Sequence, residues 1–326
     1  GKKKESDHID PSFSTIYETK SPKGCKPIGS LFDIIDSDGS YTLPSGLHYS
    51  VKVGVLKPMT SADVWVLTTS ETSAWLDNIK ANQWKTFSDI GKIRVGIKTT
   101  ADSVFIGDDW DKRTPGKRPE LLRPLITHRN AGQIIPNDSK MWEVLYTHEF
   151  VDGRKKAVDL TQYPNSQAYL EIHKEQLASR KYIQEAKRNW YEIWVPQDPR
   201  SWADRKIVFR DISEHPMFWI DQTGAIVNGD CYWIDIFDST SDDVVLLALA
   251  IANSPFIEKF YDVKFNNKLY SGKRRYMSQY VEQFPIPRPD SQKAREAINL
   301  VKTIIERKNR EPFTDIKARL DYLVME

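Results

Sequence analysis

The sequence predicts an α+β fold: a mixed, largely antiparallel sheet with long helices and a C-terminal helical segment. Three observations predict it. Apolar residues alternate through 206–212, 217–221 and 225–236, and turns at Asp221-Gln-Thr-Gly224 and Asn228-Gly229 separate the runs, as in antiparallel strands. Helical apolar spacing marks 165–190, 241–261 and 291–309, with a polar opposite face in the first and last. No repeat of fixed period organises the chain.

Residues 1–23 are polar, carry Pro11 and Pro22, and read as a linker or arm. Two apolar-rich stretches between Ile28 and Pro58 read as a β pair, because Tyr49, Val51, Val53 and Val55 alternate. Ser70 can cap a short helix ending near Asn82. Strand-like segments at 90–97 and 104–106 flank the polar loop Lys98-Thr99-Thr100-Ala101-Asp102. Residues 107–120, rich in Asp, Lys, Arg, Pro and Gly, read as an exposed loop. The longest helical pattern, 165–190, opens on Asn165 as cap. Ser241-Asp242-Asp243 can cap a helix reaching about Tyr261, with its acids at the positive dipole end. These elements divide into 1–64, 65–290 and 291–326.

The 326 residues include 47 Lys+Arg and 45 Asp+Glu, a net charge of +2. That balance exerts no bulk pull on a polyanion, so such a partner must be held by a local patch. Two distant cysteines, Cys25 and Cys231, form no disulfide framework and suit a reducing cytoplasm. The six histidines are scattered, without HExxH or CxxC, so no metal site is expected. No secretory signal is legible and the longest apolar run, 244–251, is too short for a bilayer. Gly1 without a preceding Met suggests a processed or excised chain.

No dinucleotide fingerprint, P-loop or nucleophile elbow occurs. Asn253-Ser254-Pro255-Phe256 approaches the Asn-Pro-Pro-Tyr loop of amino-methylating enzymes, but a helix interrupted near Pro255 explains it better. Asp290, Asp315 and Lys317 loosely fit a Mg²⁺-dependent nuclease set, although they flank a helix rather than adjoining strands.

Basic residues collect in three places. Lys259, Lys264, Lys268, Lys273, Arg274 and Arg275 face one acid, Asp262, and interleave with Tyr261, Phe265, Tyr270 and Tyr276. Such a Gly-containing loop suits phosphate and base-edge contacts, or is a solvated connection. A second cluster runs from Lys112 to Arg129. The third, Arg180, Lys181, Lys187 and Arg188, reads as a solvated helix face, because Glu171, Glu175 and Glu185 share the helix.

The order of motifs over about 84–290 resembles the TaqI-like C-terminal specificity domain of adenine-N6 DNA methyltransferases and fused restriction-modification enzymes. The carriers are Gly96-Ile-Lys-Thr-Thr-Ala-Asp102-Ser-Val-Phe105, with Thr100 where the family commonly has Gly, then Leu125-Ile-Thr-His-Arg129. Tyr169-Leu with His173, Arg180 and Trp190-Tyr191-Glu192 follow, then Lys206-Ile-Val-Phe-Arg210-Asp-Ile-Ser213. Leu249-Ala-Ile-Ala-Asn253-Ser254, the basic loop and Phe284-Pro-Ile-Pro287 complete the run. The Leu249–Ser254 match removes the methylating role of Asn253.

The resemblance implies a double-stranded DNA target-recognition domain, with no catalytic residue in this chain, no metal and no membrane partner. Lys98, Thr99, Thr100 and Asp102 would lie on one recognition loop. Asn266, Asn267, Lys268, Ser271, Lys273, Arg274, Arg275 and Tyr276 would lie on another, and Arg129 is a further DNA-binding candidate. S-adenosylmethionine would bind a methyltransferase domain of the same parent chain, and 24–58 resembles weakly the end of such a domain. A stand-alone nuclease, or a module docking through 291–325 on a methyltransferase subunit, are the alternatives.

Overall fold

The computed structural model describes residues 12–20, 24–57, 66–68, 70–265, 269, 272–307 and 314–325. It has an α+β fold of two compact units, divided between Asn82 and Gln83.

In the first unit, the strand His48–Lys57 is central. Ser12–Glu18 pairs antiparallel along it from Ser12↔Val55 to Glu18↔Tyr49, and Gly39–Thr42 pairs from Gly39↔Val51 to Thr42↔His48. Tyr41, Val51 and Ile34 form the small core. Two expectations change here. Part of the expected linker is the strand Ser12–Glu18, whose residues are mostly exposed and so leave no alternation of burial in the sequence. The apolar stretch at Leu31 is a 3-10 turn, Leu31–Ile34, capped reciprocally by Ser30 and Asp33. The helix Ser70–Asn82 forms as expected.

The second unit holds two four-stranded sheets. The first runs Phe218–Asp221, Lys206–Arg210, Cys231–Ile236, Gly91–Val95, antiparallel throughout. Its alternate side chains serve two cores. Val208, Trp219 and Trp233 join Leu125, Ile126 and Val144 of the second sheet and Tyr146 just beyond it. Phe218 points the other way, against Phe209, Phe87 and Phe284 at ring distances of 4.6, 6.5 and 6.1 Å. Both faces are covered, which is why Ile207, Val208 and Phe209 are apolar in succession rather than in the alternation expected over 206–212. The second sheet runs Ile226–Val227, Leu122–Ile126, Trp142–Leu145, Ile106–Gly107. Ile226–Val227 is its one parallel member, so the expected strand 225–236 divides between the two sheets.

The helix Asp242–Ala252 is buried along nine consecutive residues. It ends at Asn253, and Pro255–Phe265 continues at a bend of 71°. Asn253 accepts from the Phe218 N–H at 3.0 Å and donates to the Phe218 carbonyl at 2.8 Å. Its side chain therefore closes the sheet edge onto the helix. Among the described residues no single helix is long and apolar enough to cross a membrane. Gln292–Arg307 packs against Asp242–Ala252, with Ala294, Ala297, Val301 and Ile304 buried and Lys302 paired to Asp243 at 2.9 Å. In Thr314–Met325, Lys317 donates to the Asn253 carbonyl at 3.0 Å and to Asp321, which occupies the lysine of the nuclease-like set.

Three other expectations are corrected. Residues 102–105 are a helical turn, and the strand is only Ile106–Gly107. Within 107–120, Trp110–Arg113 is helical and Trp110 is buried beneath Tyr169 at 5.3 Å. The long helix breaks into Pro164–Ile172, Lys174–Ala178 and Lys181–Glu185. His173 and Arg180 leave helical geometry at the breaks, and Pro164 rather than Asn165 begins the first piece.

Candidate nucleic-acid interface

The loop after Gly91–Val95 is held by a close approach of backbones. Ile97 N–H donates to the Val227 carbonyl at 2.8 Å, and Lys98 exchanges both backbone bonds with Val195 at 3.0 and 2.9 Å. A Cβ on Gly96 would stand 2.0 Å from the Asn228 carbonyl oxygen, so only glycine admits this packing. A Cβ on Gly229 would lie 2.7 Å from the Ile97 carbonyl oxygen and 3.2 Å from Cγ of Lys98. Lys98 therefore runs beside the Asn228-Gly229 turn, with its side chain exposed.

Beyond Lys98 the loop folds on itself. Thr99 is fully buried, donates to the Asp102 carboxylate and accepts from the Ala101 N–H at 3.0 Å. Thr100 takes a left-handed φ of 59°, a region that favours glycine. Arg180 stabilises this geometry. It donates to the Thr99 carbonyl at 2.8 Å, to Leu177 at 2.9 Å, to Trp190 at 2.6 Å and to Glu192 at 2.9 Å. Burial pulls its pKa down to about 10, with Glu192 opposing. Arg180 is a buried clamp, and the reading of its cluster as a solvated face is corrected. No periodic signal announces it, because its partners are carbonyls scattered over 99–192.

The Asn228–Asp230 turn carries the surface onward. Asp230 accepts from His128 through its backbone N–H at 3.2 Å and meets Nδ1 at 2.5 Å. The Asp230 carbonyl accepts from Asp211 N–H at 3.3 Å, and the Asp211 carboxylate pairs with Arg275 at 3.3 Å. Lys98, His128, Arg129 and Arg275 are exposed along this path. Hydrogen bonds thus join loops that are far apart in sequence into one rim of the second unit.

The basic loop divides by burial. Arg274 is buried, gripping Asp262 with two bonds of 2.7 and 2.8 Å, with Glu258 at 3.4 Å and the Glu214 carbonyl completing its shell. Asp262 raises its pKa above the ordinary arginine value. Tyr276 is fully buried against Tyr261 at 5.1 Å, and burial drives its phenol pKa far upward. Arg275 and Lys273 face outward. Thr99, Arg274 and Tyr276 therefore shape the loops from inside, while their neighbours present charge. Asn266, Asn267, Lys268 and Ser271 lie outside the described residues. Asp102 begins the turn Asp102–Phe105 and is engaged by Thr99. Among the described residues no group of three His, Cys, Asp or Glu could hold a metal ion.

Residues 149–286 match the family model of the TaqI-like C-terminal specificity domain. The chain is 37% identical over 322 residues to the type II methyltransferase M.BanIII of Aneurinibacillus aneurinilyticus, covering 96% of this chain and 55% of that protein. It is 25% identical over 228 residues to M.PaeR7I of Pseudomonas aeruginosa, covering 70% and 38%. The chain thus spans about half, or less, of the curated relatives it matches. Its fold is similar to that of the type IIL restriction-modification enzyme MmeI, solved in complex with DNA. The TM-score is 0.53 at 14% identity, over 74% of this chain and 33% of that one.

Proposed function

From the premise that residues 149–286 carry a TaqI-like C-terminal specificity domain, we propose that this chain recognises a specific sequence in double-stranded DNA. It would do so as the specificity region of an adenine-specific methyltransferase or fused restriction-modification enzyme. The observation that carries the reading is the rim: Lys98, His128, Arg129 and Arg275 face outward from loops anchored to rigid sheets. Cations on such loops neutralise phosphates, and their planar or branched donors reach base edges in the major groove. A near-neutral chain with local cations leaves site choice to contacts rather than to bulk attraction.

Methyl transfer would belong to a catalytic region outside these residues, in the same polypeptide, which would also bind S-adenosylmethionine. Asn253 supports that division, because Phe218 and Leu249 use its amide on both sides. It offers no free amide to an extruded adenine. The test is selection by this chain from a pool of randomised duplexes. The reading expects enrichment of one short motif. Enrichment of no motif, or equal capture of single strands, would overturn it.

A further inference from the structure

Arg129 differs from the arginines at and beneath the rim. Arg180, Arg274 and Arg275 are engaged by carbonyls or carboxylates. The Arg129 guanidinium instead lies over the Trp142 ring, 4.6 Å from its centroid. Among the described residues no carboxylate or carbonyl accepts from it. Stacking on a ring face leaves the in-plane N–H groups unused, and these form a fork that suits two adjacent acceptors.

The backbone beneath Arg129 is rigid. Thr127 accepts from Arg129 N–H at 3.3 Å, and Asn137 donates to the Arg129 carbonyl at 2.7 Å. Asn130, buried, accepts from Thr127 N–H at 3.0 Å and donates to the Ser139 carbonyl at 3.1 Å. Trp142 stands on the neighbouring strand, in register with Leu125. Arg129 and Trp142 share a recess of about 470 Å³ with Asp108, Ser139 and Lys140. Its acid distinguishes two ligand chemistries. Asp108, 3.9 Å from Lys140, still offers a carboxylate acceptor there, and a phosphodiester has no proton to donate to it. The edge of a G·C pair presents the guanine O6 and N7 acceptors beside the cytosine amino donor, matching an arginine next to a carboxylate.

We propose that Arg129 reads one guanine of the target through O6 and N7, with Trp142 as its positioning residue. The assignment rests on the DNA-recognition reading and adds the base and the residue that selects it.

The test uses the duplex enriched by this chain and its single-base variants. Replacing one guanine, or substituting 7-deazaguanine there to remove N7, should weaken the wild-type chain. For the base replacement the expected loss is roughly 5- to 150-fold, the range of one bidentate contact. Arg129→Gln should bind the guanine and replaced duplexes alike while keeping its preferences at every other position, which also shows that it is folded. Trp142→Phe should keep the discrimination and Trp142→Leu should reduce it. A motif without guanine would overturn the assignment. So would an Arg129→Gln variant that retains every preference and loses only overall affinity, the result for a phosphate contact. Failure of the wild type to enrich any motif would instead sink the underlying DNA reading.

Discussion

Arg180 donates from Nη1 to the carbonyl of Thr99 at 2.8 Å, across 81 residues of sequence. The same guanidinium also holds the carbonyls of Trp190 and Glu192, so one side chain joins the Lys98–Asp102 loop to the Trp190–Glu192 segment. Removing it would leave several shielded carbonyls without donors, each costing about 1–3 kcal/mol. Arg180→Gln should therefore lower the unfolding free energy by at least about 3 kcal/mol, read as a lower denaturant midpoint at unchanged slope. Arg180→Lys should not rescue, because an ammonium has no planar fork to span the sites. A midpoint unchanged in Arg180→Gln would contradict the clamp.

Arg274 and Arg275 are adjacent in sequence and should separate in experiment. Arg275→Ala should lower the slope of log affinity for duplex DNA against log salt by about 0.9 for each phosphate that the variant no longer neutralises, with stability little changed. Arg274→Ala breaks a paired, buried cluster around Asp262 and Glu258 and should lower stability instead. Equal effects of both variants on the salt slope would show that burial does not divide their roles.

Much of the architecture follows from local pattern. The run Lys206–Arg210, the helix Gln292–Arg307 and the polar Lys98–Asp102 loop all appear in the sequence as periodicity or its absence. What escaped has a different physical origin. The pieces of 164–185 share one helical spacing, but His173 and Arg180 leave helical geometry, and Arg180 turns to carbonyls elsewhere. Ser12–Glu18 gains its strand geometry from pairing with His48–Lys57 rather than from a buried face. At the candidate site, Lys98, Arg129 and Arg275 could be picked by charge and by resemblance. Nothing in the basic loop distinguishes Arg274 from Arg275 until Asp262, Glu258 and Asp211 take their places.

Gly96 tests the close approach that sets Lys98 beside Gly229. Gly96→Ala would drive its Cβ against the Asn228 carbonyl oxygen, 2.0 Å away, and one backbone must retreat. We expect a loss of about 1–3 kcal/mol in stability, the range for forced overpacking, together with weaker DNA binding. Gly29→Ala is the control for reduced backbone freedom, because a Cβ there meets only an Asp33 carboxylate oxygen, at 3.5 Å, and its φ is not left-handed. Equal stability of Gly96→Ala and wild type would contradict the packing.

Lys206 is fully buried and pairs with Asp221, 5% exposed, at 2.9 Å. Asp221→Asn leaves the lysine charge without compensation and should destabilise by about 3–5 kcal/mol. The double variant Lys206→Met, Asp221→Leu should recover most of that loss, since an apolar pair of similar volume replaces a buried ion pair at little net cost. Chemical denaturation of the three proteins checks both statements.

His148 is buried 3.5 Å from Glu192. Burial holds its pKa below the ordinary 6.5, although Glu192 pulls the other way. Burial pushes the Glu192 carboxyl up, but bonds from His148 and Asn189 outweigh it and the net shift is downward from 4.5. Both groups bind fewer protons folded than unfolded across the window below their ordinary values. Their contribution is therefore complete above about pH 6.5 and declines as pH falls. Thermal unfolding should show stability declining below pH 6.5, with a shallower decline between pH 6.5 and 5 in His148→Gln. An identical pH profile in the variant would contradict the assignment.

The rim itself is tested most directly by amide hydrogen exchange of this chain, free and with its selected duplex. The account predicts added protection at 96–100, 128–130, 228–230 and 273–275, with the strands of both four-stranded sheets unchanged. Protection confined to the first unit or to Gln292–Arg307, with those four segments unaltered, would contradict it.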